Sequence, residues 1–158
     1  INKLELKNIK HFQSMSHETP CYNADIFING KKAIHVSNHG QGACDDHHPL
    51  EPFTYKDVEY LEQYLAKLND DDFEPIDTWC HNQMFIIEDK KLLTRNMKKN
   101  IMFFETKADI SKGKYYMIKI QNNIKGLIAY IRDKYPQSII LNELPFDKAI
   151  KVYRNEEM

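Results

Sequence analysis

The sequence predicts an α+β fold, an antiparallel sheet built from hairpins with about four helices packed on one of its faces. Three observations carry this. Asn29-Gly30 stands between two alternating apolar runs, which is the signal of a tight hairpin. Helical-period apolar repeats begin only after Thr54. Strand-like segments follow one another directly instead of alternating with helices. At 158 residues with no repeat and no linker-like stretch, the chain is read as a single domain spanning 1–158.

Taken in order, 4–12 (LELKNIKHF) reads as an imperfect first strand, because Leu4 and Leu6 alternate but Ile9 breaks the phase. In 21–28 (CYNADIFI), Tyr22, Ala24, Ile26 and Ile28 share one face. Asn29-Gly30 then favours a type I′ turn, and 31–37 (KKAIHVS) follows as the partner strand, with Ala33 and either Ile34 or Val36 inward. Thr54 and Asp57 form a capping-box pair ahead of Val58, Leu61, Leu65 and Leu68, which recur at helical spacing. Residues 69–75 (NDDDFEP) break that helix. A second helix is expected from Asp77 towards Asn100, with a strand as the alternative for its middle, MFIIED. Residues 101–106 and 114–120 read as two strands joined by KADISKG. A third helix runs from about Asn122 to Tyr135 and is stopped by Pro136. Residues 138–141 form a short strand or extended link, and Pro145 opens a last helix with Phe146, Ala149, Ile150 and Tyr153 on one face.

Composition narrows the class. Hydrophobic content of 42% with 28% charged residues describes a globular chain, and no apolar run approaches the ~20 residues that span a bilayer. The first ten residues, INKLELKNIK, hold no apolar core of a secretory signal. Cys21, Cys44 and Cys80 are odd in number, widely spaced and without a CxxC, so a disulfide framework is not expected and a cytoplasmic setting fits. Charge is unevenly spread: residues 1–79 hold 7 basic and 14 acidic residues, residues 80–158 hold 15 and 9, and 90–125 alone holds 10 and 2. Such asymmetry points to a basic patch for an acidic partner, or to halves that neutralise each other. Solvated lysines of a Lys-rich composition are the plainer explanation.

The segments LELKNIKHF, ETPCYNADIFINGKK and VSNHGQGACDD resemble the N-terminal pattern of small uncharacterised proteins of phages and bacteria, and LNELPFDKAIKVYR resembles their ending. The resemblance covers the first ~50 and last ~17 residues by inspection. It implies an accessory or mobile-element setting, in the host cytoplasm for a phage protein, and carries no activity or functional residue with it.

The densest chemistry lies in SNHGQGACDDHHPLEP, 37–52. His39, Cys44, Asp45, Asp46, His47 and His48 are zinc-type ligands without a recognised spacing. In extended backbone Asp45 and His47 point one way and Asp46 and His48 the other. Metal ligation is assigned to Cys44, Asp46 and His48, completed by Cys80 or His81 from the second helix. A polar turn ending in His-Pro is the plainer reading. No cofactor is expected beyond zinc or another divalent metal here. Binding is expected at Asn38, His39, Asp45, Asp46 and His47, and at Lys98, Lys99, Lys112 and Lys114 of the basic segment. Neither a P-loop nor a nucleophile elbow is present.

Three function classes follow. The first is a non-catalytic interaction protein, of the kind a phage uses as an inhibitor or accessory factor on a host protein. The second is a metal-dependent phosphodiester hydrolase or nuclease using the 38–48 loop. The third is a nucleic-acid-binding module using the 90–125 face. The missing catalytic signature places the first ahead and an enzyme behind it; no membrane partner is expected.

Overall fold

A computed structural model describes residues 1–70 and 72–156. Its first strand, β1 (Leu4–His11), explains the broken phase between Leu6 and Ile9. Asn8 takes a positive φ of 54°, and the pairing with β2 (Cys21–Ile28) shifts register between Lys7 and Lys10. This bulge inserts a residue and returns Ile9 to the core side. Asn29 and Gly30, at φ 51° and 82°, turn β2 into β3 (Lys31–His39), as the sequence predicts. A second register shift between Ile26 and Phe27 leaves Ala33 with no residue of β2 directly opposite, and Ala33, Ile34 and Val36 are all buried.

The connection after the hairpin is shorter than expected. β3 continues to His39, and a fourth strand, β4 (Asp46–Pro49), pairs antiparallel with it, placing His47 opposite Val36 and Pro49 opposite Ile34. No apolar alternation announces β4, because its inward residues are a histidine and a proline. The sheet order is β1-β2-β3-β4. One face packs on α1 (Tyr55–Leu68) and the start of α2 (Pro75–Lys99): Tyr22, Ala24, Ile26, Ile34 and Val36 meet Val58, Leu61, Leu65, Ile76, Cys80 and Met84. The Thr54–Asp57 capping box forms, with the Thr54 N–H donating to Asp57 Oδ2 at 2.7 Å. α2 starts at Pro75, two residues before the expected Asp77, because proline suits the first helical position. It is helical throughout, so the strand alternative for MFIIED is not realised.

The chain divides into two compact units, 1–86 and 87–158, with the divide inside α2. In the second unit β5 (Asn100–Phe104) is central, flanked antiparallel by β6 (Tyr116–Lys119) and β7 (Ile139–Ile140). The link between β5 and β6 contains a short helix, α3 (Lys107–Ser111), started by a Thr106–Asp109 capping box. α4 (Ile124–Lys134) covers one side of β5, where Ile101 and Phe103 meet Ile131. On the other side Met102 and Phe104 pack with Leu93, Ile110, Leu141 and with Ala149, Ile150 and Val152 of α5 (Phe146–Tyr153). Helices therefore cover both faces of this second sheet, not one face only as the sequence predicts. The unbroken apolar run IMFF leaves β5 no polar face to turn to water. Among the described residues, no helix is long and apolar enough to cross a membrane.

Candidate metal centre in the first unit

Two carboxylates and two imidazoles converge where β4 meets the first turns of α2. Asp45 immediately precedes β4, and His47 follows it on the same side of the extended chain. Asp77 lies in the first turn of α2, where the helix dipole favours negative charge. His81 lies four residues on, on the same helix face. One ligand-type atom from each of Asp45, His47 and Asp77 falls within 4.8 Å of the others. His47 Nε2 is 2.7 Å from Asp77 Oδ1, and His81 Nε2 is 3.1 Å from Asp45 Oδ1. The carboxylates are the buried floor, Asp45 fully so, while the two imidazoles form the half-buried rim.

Each carboxylate is held by fixed donors. Asp45 accepts hydrogen bonds from the Tyr22 hydroxyl and from the Asn38 amide, the latter at 2.9 Å. The Asp45 N–H donates to Asp77 Oδ2 at 2.8 Å. Burial alone would raise the Asp45 carboxyl, but the bonds from His81, Tyr22 and Asn38 outweigh it and hold it below the usual carboxylate range. Burial works against the charged forms of His47 and His81, yet the facing carboxylates, Asp77 for His47 and Asp45 for His81, win and push both upward. Burial, then the neighbouring Asp45, pushes the Cys80 thiol up, so it stays protonated in the core. The Tyr22 hydroxyl is pushed up too, first by burial and then by Cys80 and Asp45, so it acts as a donor.

The connection between β3 and β4 is anchored from beneath. The Asn38 amide also donates to the Ala43 carbonyl at 2.8 Å, and its carbonyl oxygen accepts from the Thr19 hydroxyl at 2.8 Å and the Gly40 N–H at 2.7 Å. The Gly40 carbonyl accepts from the His17 and Glu18 N–H groups, both at 3.2 Å. Gly40 has φ +80°, and a Cβ there would stand 2.3 Å from the Met15 carbonyl oxygen.

Of the residues singled out from sequence, the structure brings together Asn38, Asp45, His47 and His81. Cys80 lies beside them inside the core. Cys44, Asp46 and His48 are exposed; Asp46 sits opposite Ser37, and His48 opposite His35. The alternation is as expected, but its inward phase belongs to Asp45 and His47. The Tyr22 and Asn38 donors and the α2 carboxylate all lie on the side these two face. His39 is exposed at the end of β3. Lys98 and Lys99 close α2 next to Asn100, whose strand partner is Lys119, whereas Lys112 and Lys114 precede the opposite end of β6. The four lysines therefore fall in two groups, separated by the length of β6, roughly 10 Å.

Asp77 and Tyr22 belong to this cluster, and the sequence reading passes over both. Asp77 looks like a helix-opening acid and Tyr22 like a core residue, and nothing local links either to Asp45. Comparison with known proteins gives no match to a family model, a curated protein or a solved structure.

Proposed function

We propose that the first unit is a divalent-metal-binding module in which the ion is held by Asp45, His47 and Asp77 with His81 as fourth ligand. The observation that carries this is the convergence of the first three ligand atoms within 4.8 Å. Zinc–ligand bonds of about 2.0–2.2 Å place ligand atoms roughly 3–4 Å apart, so small side-chain rotations close the group on an ion. Two carboxylates neutralise a divalent charge, and neutral imidazoles complete an O2N2 set suited to zinc. His81 is oriented by Asp45 and by an edge-on contact with the Tyr22 ring at 5.4 Å. Closure by His81, whose ring nitrogen lies outside the three-residue group and has to swing in, would make this a structural ion that ties β4 to α2; the three ligands alone would leave the open position of a hydrolytic centre.

A second reading is a docking factor for a protein partner that needs no metal. It is favoured by a groove of about 240 Å³ lined by Phe12, Met15, Cys21, Tyr22, Asn38 and His39, with Phe12 and Met15 exposed beside it. Isothermal titration of the untagged chain with zinc chloride separates the two. One ion per chain is expected, with affinity falling by more than ~10-fold in His47→Ala, since even outer-shell changes cost about 10–100-fold, and lost in Asp77→Asn/His47→Ala. An absence of zinc binding, or equal binding by the double variant, overturns the metal reading and leaves the docking reading.

A further inference from the structure

The second half of α2 carries a run of exposed cations. Lys90, Lys91, Thr94, Arg95, Lys98 and Lys99 are all exposed and line one shallow groove of about 430 Å³ in the second unit. No acidic residue occurs between 90 and 99. Some basic side chains elsewhere find carboxylates: Lys3 and Lys7 with Glu5, Lys32 with Asp25, Arg132 with Glu143, Arg154 with Asp89. Among the described residues, none of the five groove cations has such a pair within 4.0 Å. The helix dipole explains cations in the last turn, Lys98 and Lys99. It fades within a turn and so leaves Lys90, Lys91 and Arg95 unexplained. Lys91–Arg95 and Arg95–Lys99 are like-charge pairs at i,i+4, an arrangement that weakens a helix unless a polyanion screens it.

We infer that this groove binds the phosphate backbone of double-stranded nucleic acid without reading its sequence. Lys91, Arg95 and Lys98 form one stripe roughly 10 Å long at 1.5 Å per residue. A duplex presents about one phosphate charge per 1.7 Å of axis, so that length faces several phosphates. Apart from the methylene stems of its own cations, the lining holds no aromatic or aliphatic side chain of the kind that anchors a protein partner or stacks an unpaired base. Uniform charge without such anchors fits a duplex backbone.

The test uses the full chain and a fluorescent DNA duplex of about 20 base pairs, read by anisotropy. With about four phosphates neutralised, affinity should fall roughly 100-fold between about 50 and about 200 mM salt. Lys91→Glu/Arg95→Glu should weaken binding at least ~10-fold at low salt, and Lys91→Arg/Arg95→Lys should restore it. Lys56→Glu/Lys67→Glu, which makes the same change of net charge on exposed positions of α1, should change it less than ~3-fold. Circular dichroism checks that each variant folds. The inference is overturned by an absence of duplex binding, by equal weakening in the two charge-reversed variants, or by polyglutamate displacing the duplex at equal charge concentration. The last outcome would assign the groove to an acidic protein.

Discussion

Asp25 sits on the face of the four-stranded sheet opposite the core, yet it is buried beneath its neighbours. It accepts from His35 Nδ1 at 2.8 Å, Asn8 Nδ2 at 2.8 Å and Lys32 Nζ at 3.0 Å. Burial raises its carboxyl, but the His35, Asn8 and Lys32 bonds together outweigh this and leave it lowered. A folded value below the unfolded one, about 3.9, means the contribution to stability is present above that pH. It is lost as pH falls through the depressed folded value. Urea midpoints measured from pH 7 downwards should therefore drop on acidification below about pH 4 in the wild type. Asp25→Asn should be less stable at pH 7 and flatter across that acid range; a variant as acid-sensitive as the wild type would refute the assignment. At this scale, the two-residue period of the backbone was legible at 45–48. Which phase faces inward was not, because it depends on Tyr22 and Asp77, which are 23 and 32 residues from Asp45 along the chain.

The β3–β4 connection shows what an element asks of its glycines. Gly30 and Gly40 have nearly the same φ, +82° and +80°, but a Cβ at Gly30 meets open space while one at Gly40 strikes the Met15 carbonyl at 2.3 Å and Cys21 Cβ at 2.9 Å. Gly30→Ala should cost about 1 kcal/mol, the left-handed penalty alone. Gly40→Ala adds a backbone collision and should cost about 3 kcal/mol or more by urea unfolding. Equal costs would mean that the connection is not seated on 15–18 as described. Hairpin and capping signals at this scale are local, so Asn29-Gly30 and Thr54/Asp57 were readable directly. β4 was hidden because its inward positions, His47 and Pro49, are polar or conformationally special. α3 was hidden because five residues are too few to show a period.

Across the whole molecule, the two units give separate handles on stability. Trp79, the only tryptophan, packs against the first unit's core, so its fluorescence reports unfolding there. Zinc that binds the native cluster and not the unfolded chain should stabilise this transition by about 2.7 kcal/mol at a free concentration 100 times its dissociation constant. The shift should vanish in Asp77→Asn/His47→Ala. A Trp79 transition unmoved by saturating zinc would show that the ion, if bound, does not tie β4 to α2.

By itself the sequence determined the hairpin, the helix starts and the charge asymmetry, because each arises between residues a few positions apart. Turn geometry at Asn29-Gly30, reciprocal capping at Thr54 and the acid-free run from 90 to 99 need no distant partner. The tertiary structure alone decided which polar residues form a site. Sheet pairing and helix packing bring Tyr22, Asp45, His47, Asp77 and His81 to one place although they span 60 positions of the chain. It also decided that β5 is covered on both faces while the first sheet keeps an outward row of Lys7, Asp25, His35 and His48. Burial belongs to the packed chain: a histidine or aspartate enters a core only where other elements supply its donors, and those donors carry no local mark in the sequence.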